Sequence, residues 1–311
     1  MEEPFVSIII PVRNEIQYIS RCLQAVANQD YPVDRVEVLV ADGASDDGTT
    51  EFLHGWASQG SDRSVFLNPG RIVPTGLNIL IPRAKGEVII RVDGHCVIAP
   101  DYVSDCVCHL QGGEADGVGG PMCSIGEDII SQVTALAMSS KFGVGNSSFR
   151  TESGVTKYTD TVPFPAYTRK IIEKVGLYDE ELVRNQDDEY NYRIREAGGR
   201  ILLAEDVKSE YFSRGSLRKL WKQYFQYGYW KVRVLQKHPR QMSPRQFVPL
   251  GFVLGLILTS LLSLFTPWGW KTLIALAVVY LAANFTASMI TAWGKGCKKW
   301  HCSLLPSGLF T

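Results

Sequence analysis

Between Arg245 and Lys271 the chain carries no charged residue, and between Lys271 and Lys295 it again carries none. A helix that crosses a bilayer needs roughly 20 mostly apolar residues. The stretches "FVPLGFVLGLILTSLLSLF" and "TLIALAVVYLAANFTASMITAW" both meet that length. Pro267 and Gly269 separate them, with Trp268 and Trp270 where interfacial aromatics belong. The competing reading is a helical hairpin buried in a soluble core, but two such uncharged runs in succession are rare in soluble domains. Residues 246–294 are therefore expected to form two transmembrane helices. Arg214, Arg218, Lys219, Lys222, Lys231, Arg233, Lys237, Arg240 and Arg245 precede the pair; Lys295, Lys298 and Lys299 follow it; only Lys271 lies between. Positive flanks stay on the cytoplasmic side. Both ends of the hairpin, and the whole chain before it, are expected in the cytoplasm, at the inner (cytoplasmic) membrane.

The rest of the composition excludes more than it selects. Lys plus Arg (32) equals Asp plus Glu (32), which argues against a nucleic-acid binder. The number of cysteines is odd, 7, and none form a CxxC pair, which fits a reducing compartment better than a disulfide framework. The start, MEEPFVSIII, is acidic and lacks a basic n-region, so it does not read as a signal peptide.

Before the hairpin, strand and helix patterns alternate. "FVSIIIPV", "VEVLVAD", "VFLN" and "EVIIRVD" read as strands. "EIQYISRCLQAVANQ", "SDDGTTEFLHGWA" and "TGLNILIPRA" read as the helices between them. This predicts an α/β domain with a mostly parallel sheet and helices on both faces. Ligands in such sheets bind at the carboxyl ends of the strands. Three strands here end in Pro-Val-Arg-Asn-Glu, Ala-Asp-Gly and Val-Asp-Gly-His.

Asp42 at a strand end can accept from a ribose hydroxyl or a base N–H, while Ser45 and Asp46 can cap the following helix. Arg13 and Asn14 can face a nucleotide, or Asn14 can cap its own helix. Asp93 and His95 can face one divalent cation, with Gly94 letting a phosphate approach the backbone; the imidazole tilts the choice from Mg2+ toward Mn2+. Asp187, Asp188 and Glu189 open a helix that ends at Gly198 and Gly199, with Tyr192 or Ile194 facing inward. One of these carboxylates can act as a general base, though acids at a helix start are also ordinary.

Strung together, "SIIIPVRNE", "VLVADGASDDGT", "VIIRVDGH" and "NQDDEYNYRIREAG" resemble family-2 glycosyltransferases. The likeness runs from Val6 to Arg240. It is nearest to the membrane-attached branch of succinoglycan-type exopolysaccharide glucosyltransferases, where "SLRKLWKQYFQYGYWK" also has a counterpart. The resemblance implies the A-type glycosyltransferase fold. It implies that Asp42 holds the base or ribose of a nucleotide sugar, that Pro11, Arg13 and Glu15 line the base pocket, and that Asp93 sits beside ribose and metal. His95 stands where many members have the second aspartate of Asp-x-Asp. The family's Glu-Asp base motif falls on Gln186-Asp187, which selects Asp187. Gln223, Tyr224, Tyr227, Gly228 and Trp230 fall on the family's late Gln/Arg-x-x-Arg-Trp-like segment. With Asp188, Glu189 and Arg193 they are candidates for the acceptor or the diphosphate.

The implied activity is inverting transfer of a sugar, glucose favoured, from a UDP-linked donor to a lipid-linked saccharide, with Mn2+ or Mg2+ as cofactor. Other glycan-assembly enzymes are further partners. A nucleotidyltransferase or a non-catalytic nucleotide-sugar-binding membrane protein are the alternatives. The expected organisation is a catalytic domain over 1–213, a basic amphipathic interface segment over 214–245, the hairpin over 246–294 and a cytoplasmic tail over 295–311. In that branch the tail often runs into another apolar segment, and "SLLPSGLFT" reads as its beginning, as if the sequence were truncated.

Overall fold

The computed structural model describes residues 3–296 except 146, 153, 213–215 and 242–243. The flanking cations Arg214, Lys298 and Lys299, and all but the first two residues of the expected tail, lie outside the described residues. The chain opens with β1 (Val6–Val12), α1 (Ile19–Ala27), β2 (Val36–Asp42), α2 (Thr49–Ala57), β3 (Arg63–Leu67), α3 (Val73–Leu80) and β4 (Val88–Arg91). β1 is buried along its whole length, which is what a continuous β-branched run needs when helices cover both faces. Alternate residues serve opposite cores. Ile8 and Ile10 join Cys22, Leu23 and Leu53 of α1 and α2. Ile9 joins Leu77 and Leu80 of α3.

The second half is made of shorter pieces: β5 (Cys96–Ile98), α4 (Tyr102–Gln111), β6 (Gly117–Gly119), β7 (Met122–Ile125), α5 (Ile129–Met138), α6 (Lys141–Val144), α7 (Ser148–Thr151), β8 (Lys157–Tyr158), β9 (Ala166–Thr168), α8 (Arg169–Val175), α9 (Gln186–Glu196), β10 (Ile201–Leu203) and β11 (Ser209–Phe212). The main sheet runs β3-β2-β1-β4-β9-β6-β10-β8, and β5-β11-β7 form a small second sheet. β1 to β4 are parallel neighbours, whereas β9 lies antiparallel to both β4 and β6 and β8 antiparallel to β10. The parallel expectation thus holds for the first half, and the complete sheet is mixed. From β1 the order proceeds outward to β2 and β3, then returns to place β4 on the other side. This switch point puts a crevice at the carboxyl ends of β1 and β4.

Three long helices end the described chain: α10 (Leu217–Lys237), α11 (Val248–Ser263) and α12 (Pro267–Gly296). The two apolar runs form an asymmetric hairpin. α11 has 16 residues, about 24 Å at 1.5 Å per residue and short of the ~30 Å hydrocarbon core. Among the described residues one helix, over Pro267–Thr291, is long and apolar enough to cross a membrane. Pro267, Trp268, Gly269 and Trp270, read from sequence as the connection, form the first turn of α12 instead. Proline is compatible with that position because its missing N–H would have no intrahelical partner there.

Candidate active site

Arg91 ends β4, and its side chain is only 5% exposed. A buried guanidinium must be paired. One arm donates to Asp93 Oδ1 at 2.8 Å and the other makes a short contact with Asp187 Oδ1. One cation therefore ties the strand-end carboxylate to the first turn of α9. Asn185, in the left-handed conformation at φ 61°, turns the chain into α9, whose positive end suits three consecutive acids. Burial alone would raise the Asp93 carboxyl, but Arg91 and then His95 outweigh it and the net direction is down. Asp187 goes the other way. Desolvation raises it, with Asp93 and Asp188 adding repulsion, and Arg91 only partly offsets this. Two neighbouring carboxyls pushed apart in this way form an acid–base contrast within one site.

His95 Nδ1 lies 3.0 Å from Glu15 Oε1, and its ring meets Tyr211 edge-on with centroids 4.8 Å apart. Gly94 is needed because a Cβ there would lie 2.8 Å from Val12 Cγ1, so β1 packs directly against the turn carrying Asp93 and His95. Among the described residues no three His, Cys, Asp or Glu side chains gather as a metal cluster. Asp93 and His95 still suit a cation that takes most of its ligands from phosphate and water, and the Glu15 carboxylate on the imidazole is the pairing that orients a ligating histidine.

Asp93, His95 and Asp187 line one cavity of about 1350 Å3 with Pro11, Arg13, Glu15, Asn68 and Arg71. Asp42 is placed differently. It is 2% exposed, is not part of the cavity wall, and accepts from Ser45 Oγ and Thr50 Oγ1, each at 2.6 Å. Its loop is fastened to the β1 loop by Asn14, whose N–H donates to Ser45 Oγ at 2.9 Å and whose Nδ2 donates to Asp46 Oδ1 at 2.8 Å.

The remaining sequence candidates divide. Asp188 lines the cavity and is paired with Lys231 of α10 at 2.9 Å. Glu189 is buried and held by Arg193 at 2.7 Å and His238 at 3.1 Å. Arg193 also donates to Val175 O and Leu177 O, so it braces α9 against the end of α8. Gln223 and Tyr227 line the cavity and share a 2.7 Å hydrogen bond, while Trp230 stacks edge-on with Tyr229 and does not line it.

Sequence reasoning missed Arg91, although a charge inside "VIIRV" was the available signal, since a buried strand position holds arginine only against partners. It also missed Arg150 and the far wall of the cavity. That wall is built by Met138 and Phe142 with Val248, Phe252 and Tyr280 of the hairpin. Phe252 stacks on Tyr280 with centroids 4.8 Å apart, and Phe142 meets Tyr280 at 6.4 Å.

Solved structures share this architecture. The mannosyltransferase PcManGT from Pyrobaculum calidifontis, in complex with GDP-Man and Mn2+, superposes with a TM-score of 0.59 at 23% identity over 95% of this chain and 80% of its own. S. aureus TarS 1-349 in complex with UDP superposes with a TM-score of 0.52 at 19% identity, covering 67% of this chain and 60% of that one. The sheet and its switch point are those of the A-type glycosyltransferase fold. The family model described as Glycosyl transferase family 2 matches residues 7–176. The Succinoglycan biosynthesis protein ExoA of Rhizobium meliloti is 32% identical over 247 residues, 78% of this chain and 74% of its own. A Methanococcus voltae protein named dolichyl N-acetyl-alpha-D-glucosaminyl phosphate 3-beta-D-2,3-diacetamido-2,3-dideoxy-beta-D-glucuronosyltransferase is 28% identical over 83% of each chain. The chain belongs to glycosyl transferase family 2. α9, with Asp187, lies beyond the residues 7–176 that the family model matches.

Proposed function

We propose that this glycosyltransferase moves a sugar, glucose favoured, from a UDP-linked donor to a lipid-linked saccharide in exopolysaccharide or cell-surface glycan synthesis. The observation that carries the reading is the Arg91 bridge, which sets Asp187 opposite Asp93 in a cavity whose far wall belongs to the apolar hairpin. A donor bound along β1 and β4 and an acceptor arriving from the membrane would meet between the two carboxylates. The names of the Rhizobium and Methanococcus relatives, one referring to succinoglycan and one to a dolichyl phosphate, support the same substrate classes.

The chemistry is a single displacement with inversion. Asp187 takes the proton of the acceptor hydroxyl as its oxygen bonds to the anomeric carbon and the bond to the diphosphate breaks. Transition-state charge on the sugar ring has oxocarbenium character. Asp93 and His95 are the residues that would hold Mn2+ or Mg2+, which when bound neutralises the leaving diphosphate. Arg13, Glu15 and Pro11 face the nucleotide. Asp42 acts through its loop, holding Ser45 and Thr50 beside Asn14. The catalytic domain (1–213) works on the cytoplasmic side of the inner membrane, with the 214–245 segment at the interface and 246–294 in the membrane.

The test is a transfer assay and UDP titration on Asp187→Asn. The amide keeps size and hydrogen bonding but cannot take the proton, so turnover should fall about 10²–10⁴-fold with UDP affinity near that of the wild type. Normal turnover, or loss of UDP binding in place of turnover, refutes the assignment. Asp188→Asn should cost far less.

A further inference from the structure

Several cations that line the cavity already have partners. Arg91 holds Asp93 and Asp187, Lys231 holds Asp188, and Arg184 donates to Gln226 at 3.3 Å. Arg150 of α7 is different. Its guanidinium lies over two rings, 5.3 Å from the centroid of Phe149 and 5.9 Å from that of Tyr211. These two ring contacts restrain the guanidinium. Its Nη1 is buried and has no hydrogen-bond partner among the described residues. Buried polar atoms are almost always satisfied, and an orphan calls for an explanation such as a missing ligand. Tyr211, under Arg150, is the same ring that meets His95 at 4.8 Å, so the orphan is one aromatic ring away from the His95–Glu15 pair. The surrounding segment from Ile129 to Thr151 contains no acid, and its charges are Lys141 and Arg150. The late-segment candidates Gln223, Tyr227 and Trp230 are not cationic, and Lys231 beside them is taken by Asp188.

We infer that Arg150 binds a phosphate oxygen of a diphosphate in the cavity. A planar guanidinium presents a fork of donors that suits phosphate, and the two ring contacts leave the side chain less freedom to lose on binding. Two diphosphates can bring that chemistry: the nucleoside diphosphate of the donor and the carrier diphosphate of a lipid-linked acceptor. The inference rests on the transferase reading above and assigns the diphosphate contact to a residue outside the late segment.

The experiment uses the full chain in detergent with Mn2+, and compares wild type, Arg150→Gln and Arg150→Lys. Two probe pairs are titrated: UDP against uridine, and farnesyl diphosphate against farnesol. Losing a hydrogen bond to a charged group should weaken the relevant diphosphate about tenfold or more and leave its phosphate-free partner unchanged. Loss confined to UDP identifies the donor, and loss confined to farnesyl diphosphate identifies the carrier. Arg150→Lys should keep part of the affinity, since it retains the charge and loses the fork; if Arg150→Gln does not fold, the same pattern is read from Arg150→Lys. Unchanged affinity for both diphosphates overturns the inference, as does equal loss for uridine or farnesol, which marks a merely structural residue. Wild-type protein that binds neither diphosphate also overturns it. Wild-type protein that binds UDP but transfers no sugar overturns only the transferase reading.

Discussion

Arg91→Met keeps the bulk of the β4 side chain and removes the charge between Asp93 and Asp187. The two carboxylates then face each other across the width of the lost guanidinium. At about 6 Å and an effective dielectric constant of about 20, their repulsion is roughly 3 kcal/mol, or about 2 pKa units. The high dielectric value is appropriate because Asp187 is 35% and Asp93 23% exposed to cavity water. Removing one partner of a fully buried ion pair costs about 3–5 kcal/mol, and partial exposure places this case nearer 2–3. For a domain of this size that corresponds to roughly 4–12 °C in Tm. The sign with pH follows from the raised carboxyls. A folded-state pKa above the unfolded value means the folded state holds more protons, so stability falls as pH rises through that range. The deficit of the variant should therefore be full near pH 8 and fall to about half near pH 5, vanishing only as the pH approaches the unfolded pKa of about 3.9. Mn2+ should recover part of it, because two unpaired carboxylates attract a divalent cation. The assay is thermal unfolding of purified wild type, Arg91→Met and Arg91→Lys over that pH range, with and without Mn2+. A variant that melts like the wild type at every pH would show that Arg91 does not hold the two acids together.

Asp93→Ala should lose most transfer activity, and His95→Asp should keep some and shift its preference from Mn2+ toward Mg2+; full wild-type activity in excess EDTA would contradict both. His109 sits between Glu114 at 3.0 Å and Asp206 at 2.9 Å, with Asp105 also near. Burial alone would lower its pKa, but these carboxylates outweigh it and the net direction is up from 6.5. Its contribution is thus present below the unfolded pKa and lost as pH rises through the folded one. His109→Gln should lower Tm at pH 6 and leave it unchanged in alkaline solution; an equal loss at both pH values would exclude the ion pairs. Reporters fused at the N-terminus and after Thr311 should both give a cytoplasmic signal, and a periplasmic signal from the second would contradict the charge-flank argument.

The first half of the fold was legible because β1, β2 and β4 are buried on both faces and rich in β-branched residues. The expected "VEVLVAD" coincides with β2, Val36–Asp42. β5 to β11 are two to four residues long, too short for any period to show, and they are defined by pairing with strands far along the chain. Charge placement was legible only as possibility. Asp42 at a strand end looked open to a ligand, yet the hydroxyls of Ser45 and Thr50 close over it, a choice that depends on side-chain directions in a turn. Glu189 and Asp188 are adjacent in sequence, but a turn of about 100° per residue sends one to Arg193 and the other to Lys231. The cavity wall from Met138 to Phe142 was invisible for another reason. It becomes a wall only when α12 brings Tyr280 against it.

The same long-range pairing links the apolar end of the chain to the cavity. α10 presents Trp221, Phe225 and Tyr229 outward, 77%, 67% and 64% exposed, in the pattern of a basic helix with aromatics that lies at a bilayer surface. Its other face is fastened to α9 and the loops before it. Lys231 pairs with Asp188, Asn185 donates to Tyr227 O at 3.1 Å, Arg233 reaches Glu181, and Lys237 reaches Asp179 and Glu181. Just beyond α10, His238 holds Glu189 and Gln241 donates to Asp188 O at 2.9 Å. A single exposed ion pair in such a set would be worth ~0–1 kcal/mol, but these contacts act on one short stretch from Asp179 to Glu189 and restrain it from several directions. Asp187 lies inside that stretch and has its own tie, through Arg91, to the sheet edge. Asp187 is therefore held from two sides, by Arg91 at the end of β4 and by the helix that carries the exposed aromatics. On the proposed reading, docking α10 on a bilayer would orient the first turn of α9 relative to β4.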